Sequence, residues 1–440
     1  MRRARIVASI ALAVVASSVG ADSVAPAWRT PNVVLVSLDT LRARSVSAYG
    51  ATRPTTPSLD ELVGAAGTIF DAAYTTAPHT LPAHLSLFTG RYLRNLGDAS
   101  PLSALAPDIP TLPERMRAAG YATAAFTEDG YVIPRVGFRR GFAEYRENTS
   151  PDMLMPLGHS AQTFREGVEW LARHRDEPVF LFLHTYEVHD PYTPPAPYDT
   201  AFEPDRGPDT VPQAECLRYE QEARYLDDQL RALIESIDAL GLGTRTLLVV
   251  LADHGEEFME HGQTRHSLQL FEETIHIPLM MRLPGIVPVG LRIETPVSLV
   301  DVAPTILDLV GAPPIPGTDG VSLVPLLVGS SLPTWRQAVF SEAKSSLSAP
   351  SVDLVSARTE TARCTYRTQR NAALCYDLTH DPEETNPLGL HDPRTRDART
   401  QALQYADLLA SRPTNPALAA PGPPPDPERA EKLRALGYTR

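Results

Sequence analysis

The sequence predicts an α/β protein in which a mostly parallel sheet is covered by helices on both faces. Two continuously apolar runs, 32–38 and 246–252, are typical of strands buried on both faces, because polar residues do not alternate within them. Helical patterns at 160–173 and 220–240 separate such runs, and strands alternating with helices indicate a doubly wound sheet. Hydrophobic residues make up 43% of 440, which is enough for a core of that size.

The other elements follow from the same periodicities. Further central strands are predicted at 121–126, 178–183 and 277–283, and a helix at 298–310. Beyond about residue 332, short runs predict an antiparallel sheet with strands near 339–341, 351–357, 363–366 and 374–378. The predicted organisation is 1–21 signal peptide, 22–331 catalytic domain, 332–390 small α+β subdomain with the antiparallel sheet, and 391–440 C-terminal helices with a proline-rich linker.

The first 21 residues have the pattern of a cleavable signal peptide. Arg2, Arg3 and Arg5 precede an apolar run, 6–19, that is too short to span a bilayer comfortably. A retained membrane anchor is the alternative. We expect an exported protein, periplasmic or secreted, without stable membrane insertion.

The charge of the chain restricts its partners. A formal net charge of −13 argues against nucleic acid and anionic membranes as partners. An anionic substrate would therefore need a locally positive site, yet Lys344 and Lys432 are the only lysines in the sequence.

The sequence contains three cysteines. Cys364 and Cys375 flank a predicted hairpin, where either a disulfide or two buried thiols would fit, and Cys216 has no obvious partner.

Acidic residues and a histidine follow the two most apolar strands. Asp39 comes directly after the run 32–38, and Asp253 and His254 come directly after 246–252. Ligands of open α/β sheets bind beyond the carboxyl ends of the strands, so we expect these side chains to meet there. Two carboxylates and an imidazole can hold a divalent cation, for which Ca²⁺, Mg²⁺, Mn²⁺ and Zn²⁺ are all considered.

Thr80 is the predicted nucleophile and fourth metal ligand. Pro78 and Pro82 flank it, and an apolar helical stretch follows at 83–88, so Thr80 would lie at a helix N-terminus, where anions are favoured. The alternative for Thr80 alone is a helix-capping threonine without chemistry. Likewise, Asp39 alone could be an ordinary loop carboxylate.

The stretch 80–91, TLPAHLSLFTGR, resembles the signature of the sulfatase family, in which Cys or Ser is followed by x-Pro-Ser/Ala-Arg and later by Leu-Thr-Gly-Arg. Segments 31–39, 253–261, 271–279, 317–323 and 376–386 also resemble landmarks of that family, so the resemblance covers about residues 31–387. It implies the fold of the alkaline-phosphatase-like superfamily, a three-layer α/β/α sandwich with a small C-terminal sheet.

The departures from the family pattern concern the reactive groups. Thr80 replaces the Cys or Ser from which the family makes formylglycine, so no formylglycine is expected, and His84 replaces the Arg. Thr40 stands where the family has a second Asp, and the lysines with which the family grips sulfate are missing, with TEDG at 127–130. The resulting metal set resembles that of phosphoglycerol and phosphoethanolamine transferases of the same superfamily, which use a threonine nucleophile.

Histidines stand in place of the missing cations. His189 matches a family position near the substrate, His266 falls where the family has a sulfate-binding lysine, and His84 would lie one helical turn from Thr80. His184 and His261 are either site residues or structural ones. We assign catalysis to Thr80, His84, His189 and His266; metal binding to Asp39, Thr80, Asp253 and His254; and substrate binding to His84, His184, His189 and His266.

The sequence thus predicts a metal-dependent hydrolase of sulfate or phosphate esters, of small molecules or glycans, with Thr80 as the metal-bound nucleophile. One alternative is a phosphotransferase or phosphodiesterase that passes a phospho-group through Thr80 to a sugar or lipid hydroxyl. Another is a non-catalytic binding protein of the same fold. The clustered carboxylates argue against the second alternative, because a binding protein has little physical reason to keep them.

Overall fold

The computed structural model describes residues 30–96, 104–128, 130–149, 158–204, 210–266, 268–344, 353–389, 391–411 and 418–419. The predicted signal peptide, the proline-rich linker apart from residues 418–419, and the helix predicted after the linker lie outside these ranges. The α-helices are α1 Pro57–Leu59, α2 Thr80–Thr89, α3 Leu112–Ala118, α4 Ser160–Arg173, α5 Val211–Ala239, α6 Glu272–Ile275, α7 Val302–Leu309, α8 Val324–Leu327 and α9 Arg396–Ala410. The strands are β1 Asn32–Leu38, β2 Thr68–Phe70, β3 Ala73–Tyr74, β4 Ala104–Leu105, β5 Ala122–Glu128, β6 Glu144–Asn148, β7 Val179–Thr185, β8 Thr246–Ala252, β9 Glu257–Phe258, β10 Thr264–Arg265, β11 Leu279–Arg282, β12 Leu291–Ile293, β13 Val297–Ser298, β14 Val339–Ala343, β15 Leu354–Arg358, β16 Ala362–Arg367, β17 Ala372–Asp377 and β18 Leu418–Ala419.

Within the described part of the chain, the core is an eight-stranded sheet in the order β12-β2-β11-β8-β1-β7-β5-β6. Neighbours from β8 to β6 are parallel, whereas β11 is antiparallel to both β8 and β2. Leu38 at the end of β1 pairs with Ala252 at the end of β8. The residues that follow these strands therefore lie side by side at one edge of the sheet.

Helices cover both faces of this sheet, as the α/β/α prediction requires. α1, α4 and α5 pack together in one layer, and α2, α3 and α7 pack together in the other. β1 and β8 between them are buried along their whole length, which explains why their sequences are apolar throughout. The predicted fold class is confirmed.

Among the element boundaries that differ from the sequence prediction are those of β7 and α5. β7 continues to Thr185, so His184 lies within the strand and does not follow it. The His184 side chain is buried, as are the other side chains of the strand. α5 begins at Val211, about nine residues earlier than predicted, since Thr210 and Gln213 form a capping box and a proline stands in the first turn.

The C-terminal region contains the antiparallel sheet β14-β15-β16-β17, on which α9 packs. Cys364 and Cys375 face each other across β16 and β17 and form a disulfide, which decides between the two alternatives left by the sequence. In the described residues, no helix has both the length and the apolar composition needed to cross a bilayer.

Candidate active site

Two adjacent parallel strands carry the acidic residues of the site. Asp39 directly follows β1, and Asp253 and His254 directly follow β8. All three side chains are fully buried, and one ligand atom from each lies within 4.8 Å of those of the other two. The structure therefore brings these residues together at the carboxyl ends of the strands, where open α/β sheets bind ligands.

Thr80 enters this site at the first residue of α2. The residue before it, His79, has an extended backbone (φ −163°, ψ 135°), so the helix begins at Thr80. Thr80 Oγ1 lies 3.4 Å from His254 Nε2, and the hydroxyl also hydrogen-bonds to the Asp39 carboxylate. The four residues predicted to bind metal thus surround one point.

The chemistry of this cluster fits a divalent cation. Burial raises the pKa of Asp39 well above its usual range, and the negative charge of Asp253 raises it further. Oδ1 of Asp39 and Oδ2 of Asp253 are buried without a hydrogen-bond partner among the described residues. A cation between the two carboxylates would satisfy both atoms and offset the repulsion. An imidazole beside oxygen ligands suits zinc or manganese better than calcium or magnesium.

His254 is held in the orientation of a metal ligand. Its Nδ1 donates to the Gly255 carbonyl oxygen at 3.0 Å, so the lone pair of Nε2 is directed toward Thr80. Burial lowers its pKa, but the Asp253 and Asp39 carboxylates outweigh burial and raise it.

Thr40 occupies the position of the family's second aspartate without acting as a ligand. Its Oγ1 donates to the Val188 carbonyl oxygen at 2.8 Å, and its N–H donates to Asp253 Oδ1 at 3.3 Å. Its backbone is left-handed, with φ at 58°, which is unusual for a β-branched residue. Thr40 therefore orients Asp253, and its hydroxyl is occupied by the Val188 carbonyl oxygen.

Two of the predicted histidines lie behind the cluster. His84 Nδ1 is 2.8 Å from the Thr80 carbonyl oxygen, and its Nε2 is 3.0 Å from Ser37 Oγ. His184 Nε2 is 3.3 Å from Asp39 Oδ2. Burial lowers the pKa of His84 to about 3 and that of His184 to about 4, so both rings are neutral at pH 7. These contacts position Thr80 and Asp39.

The other two predicted histidines, His266 and His189, form a row of rings that begins at His254. The His266 ring centre is 4.5 Å from that of His254, and the His189 ring centre is 5.3 Å from that of His266. His266 Nδ1 lies 3.0 Å from Glu256 Oε1, and Tyr192 donates to the other oxygen of Glu256 at 2.8 Å. Burial lowers the pKa of His189 to about 4.

The sequence analysis missed one histidine and left another open. His79 precedes the nucleophile, and its ring centre is 5.3 Å from that of Tyr131 and 6.5 Å from that of His266. Its position next to Thr80 is the signal that could have identified it. His261 lies away from the site, because it pairs with Glu273 at 2.6 Å and stacks on Phe271.

Comparisons with known proteins agree with this geometry. The family model described as Sulfatase matches residues 31–312, and the model described as N-sulphoglucosamine sulphohydrolase, C-terminal, matches residues 260–405. Arylsulfatase K of Homo sapiens is 25% identical over 382 residues, covering 73% of this chain and 70% of the relative.

A bacterial relative and a solved structure extend the comparison. Delta 4,5-hexuronate-2-O-sulfatase of Bacteroides thetaiotaomicron is 24% identical over 426 residues, covering 84% of this chain and 86% of the relative. The crystal structure of a phosphonate monoester hydrolase of Agrobacterium radiobacter superposes with a TM-score of 0.72 at 22% identity, covering 86% of this chain and 95% of that one. At this identity the superposition supports the fold alone.

Proposed function

This chain belongs to the sulfatase family and is a sulfuric ester hydrolase, and from that premise we propose that Thr80 is its nucleophile. The single observation that carries the proposal is the position of the Thr80 hydroxyl, between the Asp39 carboxylate and His254 Nε2 at the start of α2. Threonine has a methyl group on Cβ and cannot be converted to formylglycine, so the attacking group that we propose is its own hydroxyl.

We propose that Asp39, Thr80, Asp253 and His254 hold a divalent metal ion. When bound, such an ion offsets the negative charge of the ester and of the two carboxylates and lowers the pKa of a hydroxyl beside it. The orphaned Oδ1 of Asp39 and Oδ2 of Asp253 support this assignment.

The reaction proposed for these residues has two displacements. In the first, Thr80 Oγ forms a bond to the sulfur, and the bond from sulfur to the alcohol oxygen breaks. The alcohol oxygen leaves with one proton, replacing the proton that Thr80 loses. In the second, the oxygen of a water molecule forms a bond to the sulfur and the bond from sulfur to Thr80 Oγ breaks. One proton of the water goes to Thr80 Oγ, and the sulfate leaves with the other proton, which it passes to solvent.

Histidines in front of His254 are proposed to carry the protons. Glu256 holds Nδ1 of His266 and can stabilise its charged form, as the acidic member of a catalytic triad does for its histidine. His189 has its Nδ1 on the Asp190 carbonyl oxygen at 2.7 Å, which leaves Nε2 as an acceptor. His84 and His184 are proposed as positioning residues, because their contacts are to Thr80, Ser37 and Asp39.

We propose a sulfate ester of a glycan or small molecule as the substrate, in keeping with the names of the relatives. A phosphate or phosphonate ester is the second candidate, and the observation that favours it is the threonine nucleophile itself. Attack on phosphorus would follow the same two displacements.

The test compares an aryl sulfate, an aryl phosphate monoester and an aryl phosphodiester with chelator-treated protein reloaded with Ca²⁺, Mg²⁺, Mn²⁺ or Zn²⁺. We expect metal-dependent sulfate turnover that Thr80→Ala lowers by at least about a thousandfold and Thr80→Ser partly retains. Mass spectrometry of quenched wild-type reactions should find a sulfo group on the peptide containing Thr80.

Thr89→Ala is the matched control, because Thr89 lies in the same helix and its hydroxyl donates to the Leu85 carbonyl oxygen at 2.6 Å and accepts from the Arg91 N–H at 3.3 Å. Its turnover should stay near that of wild type. Full activity of Thr80→Ala would exclude the proposed nucleophile. Turnover of phosphodiester alone would favour the second candidate, and no turnover with metal bound would favour a binding protein.

A further inference from the structure

Among the residues that the structure describes, those in contact with Thr80, Asp39, Asp253 and His254 include no lysine or arginine. They are aspartates, threonines and histidines. A divalent metal ion would balance the two carboxylates, but it would leave no charge to balance a second anionic group on the substrate. Recognition of such a group would require a cation at the mouth of the site.

Arg265 provides that cation. It is the last residue of β10 and directly precedes His266, and its Nη2 lies 3.1 Å from Asp190 Oδ2. Asp190 directly follows His189 in the sequence. Each member of the ion pair is therefore adjacent in the sequence to one of the two histidines, His189 and His266, that lie beside His254. Burial raises the pKa of both Asp190 and Glu256, and the positive charge of Arg265 counteracts this rise in each.

The Arg265 side chain is accessible for an additional partner. It is 59% exposed, whereas its partner Asp190 is 12% exposed. Because the Arg265 end of the pair is exposed, solvent weakens the pair, so a second oxyanion can compete with Asp190 for the guanidinium. A guanidinium presents five N–H donors in a planar fork, which matches a carboxylate or sulfate by two parallel hydrogen bonds.

The backbone of Arg265 is held in an uncommon conformation. Its φ is 72°, in the left-handed region that non-glycine residues rarely adopt. The hairpin imposes this conformation, since Arg265 pairs with Glu257 and the Glu257 carboxylate accepts hydrogen bonds from the N–H groups of His261 and Gln263 at 3.0 and 2.9 Å. Such strain persists where the surroundings enforce it, and it is frequent at ligand-binding positions.

We propose that Arg265 determines specificity by binding a second oxyanion of the substrate, the carboxylate of an acidic sugar, in place of Asp190. The proposal rests on the proposed function, because it takes the Thr80 site as the point of ester cleavage. It assigns the enzyme to sulfated sugars that carry a second negative charge. Without Arg265, Asp190 would remain at the mouth and repel that group.

The experiment uses three sulfated methyl glycosides with the metal-loaded enzyme. These are a sulfated glucuronide, the matching sulfated glucoside in which a hydroxymethyl group replaces the carboxylate, and the corresponding disulfated glucoside. We expect Arg265→Gln to lower kcat/KM for the glucuronide at least about tenfold, mainly through KM, because charged hydrogen bonds are lost. The neutral glucoside should change less than about twofold.

Further variants separate recognition from a structural effect. Arg265→Lys should retain part of the preference for the glucuronide over the neutral glucoside. Asp190→Asn should increase this preference, because the competing carboxylate is gone. Arg292→Gln is the matched control, since Arg292 is a similarly exposed arginine on β12 that pairs with Asp71. If Arg265→Gln lowers kcat/KM equally for the disulfated glucoside and the glucuronide, the site is assigned to oxyanions in general, because sulfate and carboxylate bind a guanidinium in the same way.

Equal losses for the charged and the neutral glycoside in Arg265→Gln, or no preference in wild type, would overturn the proposal. If Arg265→Gln loses the preference for the glucuronide and Thr80→Ala abolishes turnover, both assignments are supported, namely Arg265 as the specificity residue and Thr80 as the nucleophile. If Thr80→Ala stays active while Arg265→Gln discriminates, only the proposed nucleophile fails. If no glycoside is turned over, binding of the same three to Thr80→Ala and to Thr80→Ala/Arg265→Gln decides, and equal binding contradicts the proposal.

Discussion

Asp39 and Asp253 show how single residues define this site. Each carboxylate is fully buried next to the other, an arrangement that costs free energy unless a cation or a proton lies between them. Burial and the charge of Asp253 accordingly raise the pKa of Asp39. The cluster therefore destabilises the metal-free protein, and a bound cation would reverse that effect.

Asp39→Asn should separate the destabilisation by the buried carboxylates from the stabilisation by a bound cation. In chelator, the variant should unfold at the same or a higher temperature than wild type, because one buried charge is gone. With metal at about a hundredfold Kd, wild type should gain about 2.7 kcal/mol of unfolding free energy, and the variant should gain much less. Thermal unfolding with and without metal, together with measured metal content, checks this.

Asp227→Asn is the control for that experiment. Asp227 is also fully buried, but it accepts hydrogen bonds from the N–H groups of Ser58 and Leu59, at 2.8 Å each, away from the site. The variant should be less stable and still show the full stabilisation by metal. A wild-type protein whose unfolding temperature does not respond to any of the four metals would contradict the assignment.

The four predicted histidines illustrate the limit of reasoning from single positions. All four come near the metal cluster, but His84 and His184 contact its back while His189 and His266 lie in front. The sequence cannot separate these pairs, because the direction of a side chain depends on how its element packs. His79 was missed for the same reason, since an extended residue before a helix can turn either way.

At the scale of elements, the β9–β10 hairpin connects the site to the rest of the molecule. Glu256 and His266 flank it, so its position sets where His266 lies. His261 anchors the hairpin, with Nδ1 2.6 Å from Glu273 Oε1 and Nε2 3.2 Å from the Glu384 carbonyl oxygen. Burial alone would lower the pKa of His261, but the hydrogen bond and charge of Glu273 raise it to about 9.

The stabilisation by His261 should depend on pH. A pKa of about 9 in the folded state, against about 6.5 unfolded, means that the contribution is complete below about pH 6.5 and is lost as pH rises through about 9. His261→Gln should therefore lower the unfolding free energy at pH 6 by about 1 kcal/mol, because solvent screens a pair near the surface. At pH 10 the difference should largely disappear.

Urea unfolding across this pH range measures the effect. His380→Gln serves as the control, because His380 is an exposed histidine that pairs with Asp377 on the surface. Its difference from wild type should be small at every pH. A His261→Gln deficit that is constant from pH 6 to pH 10 would show that packing on Phe271, and not the charge, is what His261 contributes.

For the molecule as a whole, Arg363 joins the C-terminal sheet to the main domain. It lies in β16, is fully buried, and its guanidinium pairs with Glu384 at 2.9 Å and with Glu272 of α6. The same group lies over the Tyr74 ring, 5.2 Å from its centre. Burial would raise the pKa of Glu272, but Arg363 outweighs burial and holds it well below the usual range.

Arg363→Ala should lower the unfolding free energy by about 3–5 kcal/mol, because the buried Glu384 carboxylate would lose its ion-pair partner and Glu272 would lose one of its partners. Chemical denaturation measures this loss. Arg394→Ala is the control, since its pair with Asp392 is exposed and should contribute less than about 1 kcal/mol. A loss for Arg363→Ala no larger than that of the control would mean that the two carboxylates find other partners or water.

The sequence by itself determined the α/β fold and the family, and it predicted the metal-ligand set. These features depend on local patterns, namely apolar runs that end in Asp39 and Asp253 and a motif around Thr80, and such patterns are written along the chain. The tertiary structure alone decided the division of the histidines, the disulfide and the pairing of Arg265 with Asp190. Each of these joins side chains from different elements, and the distance between them is set by how the elements pack.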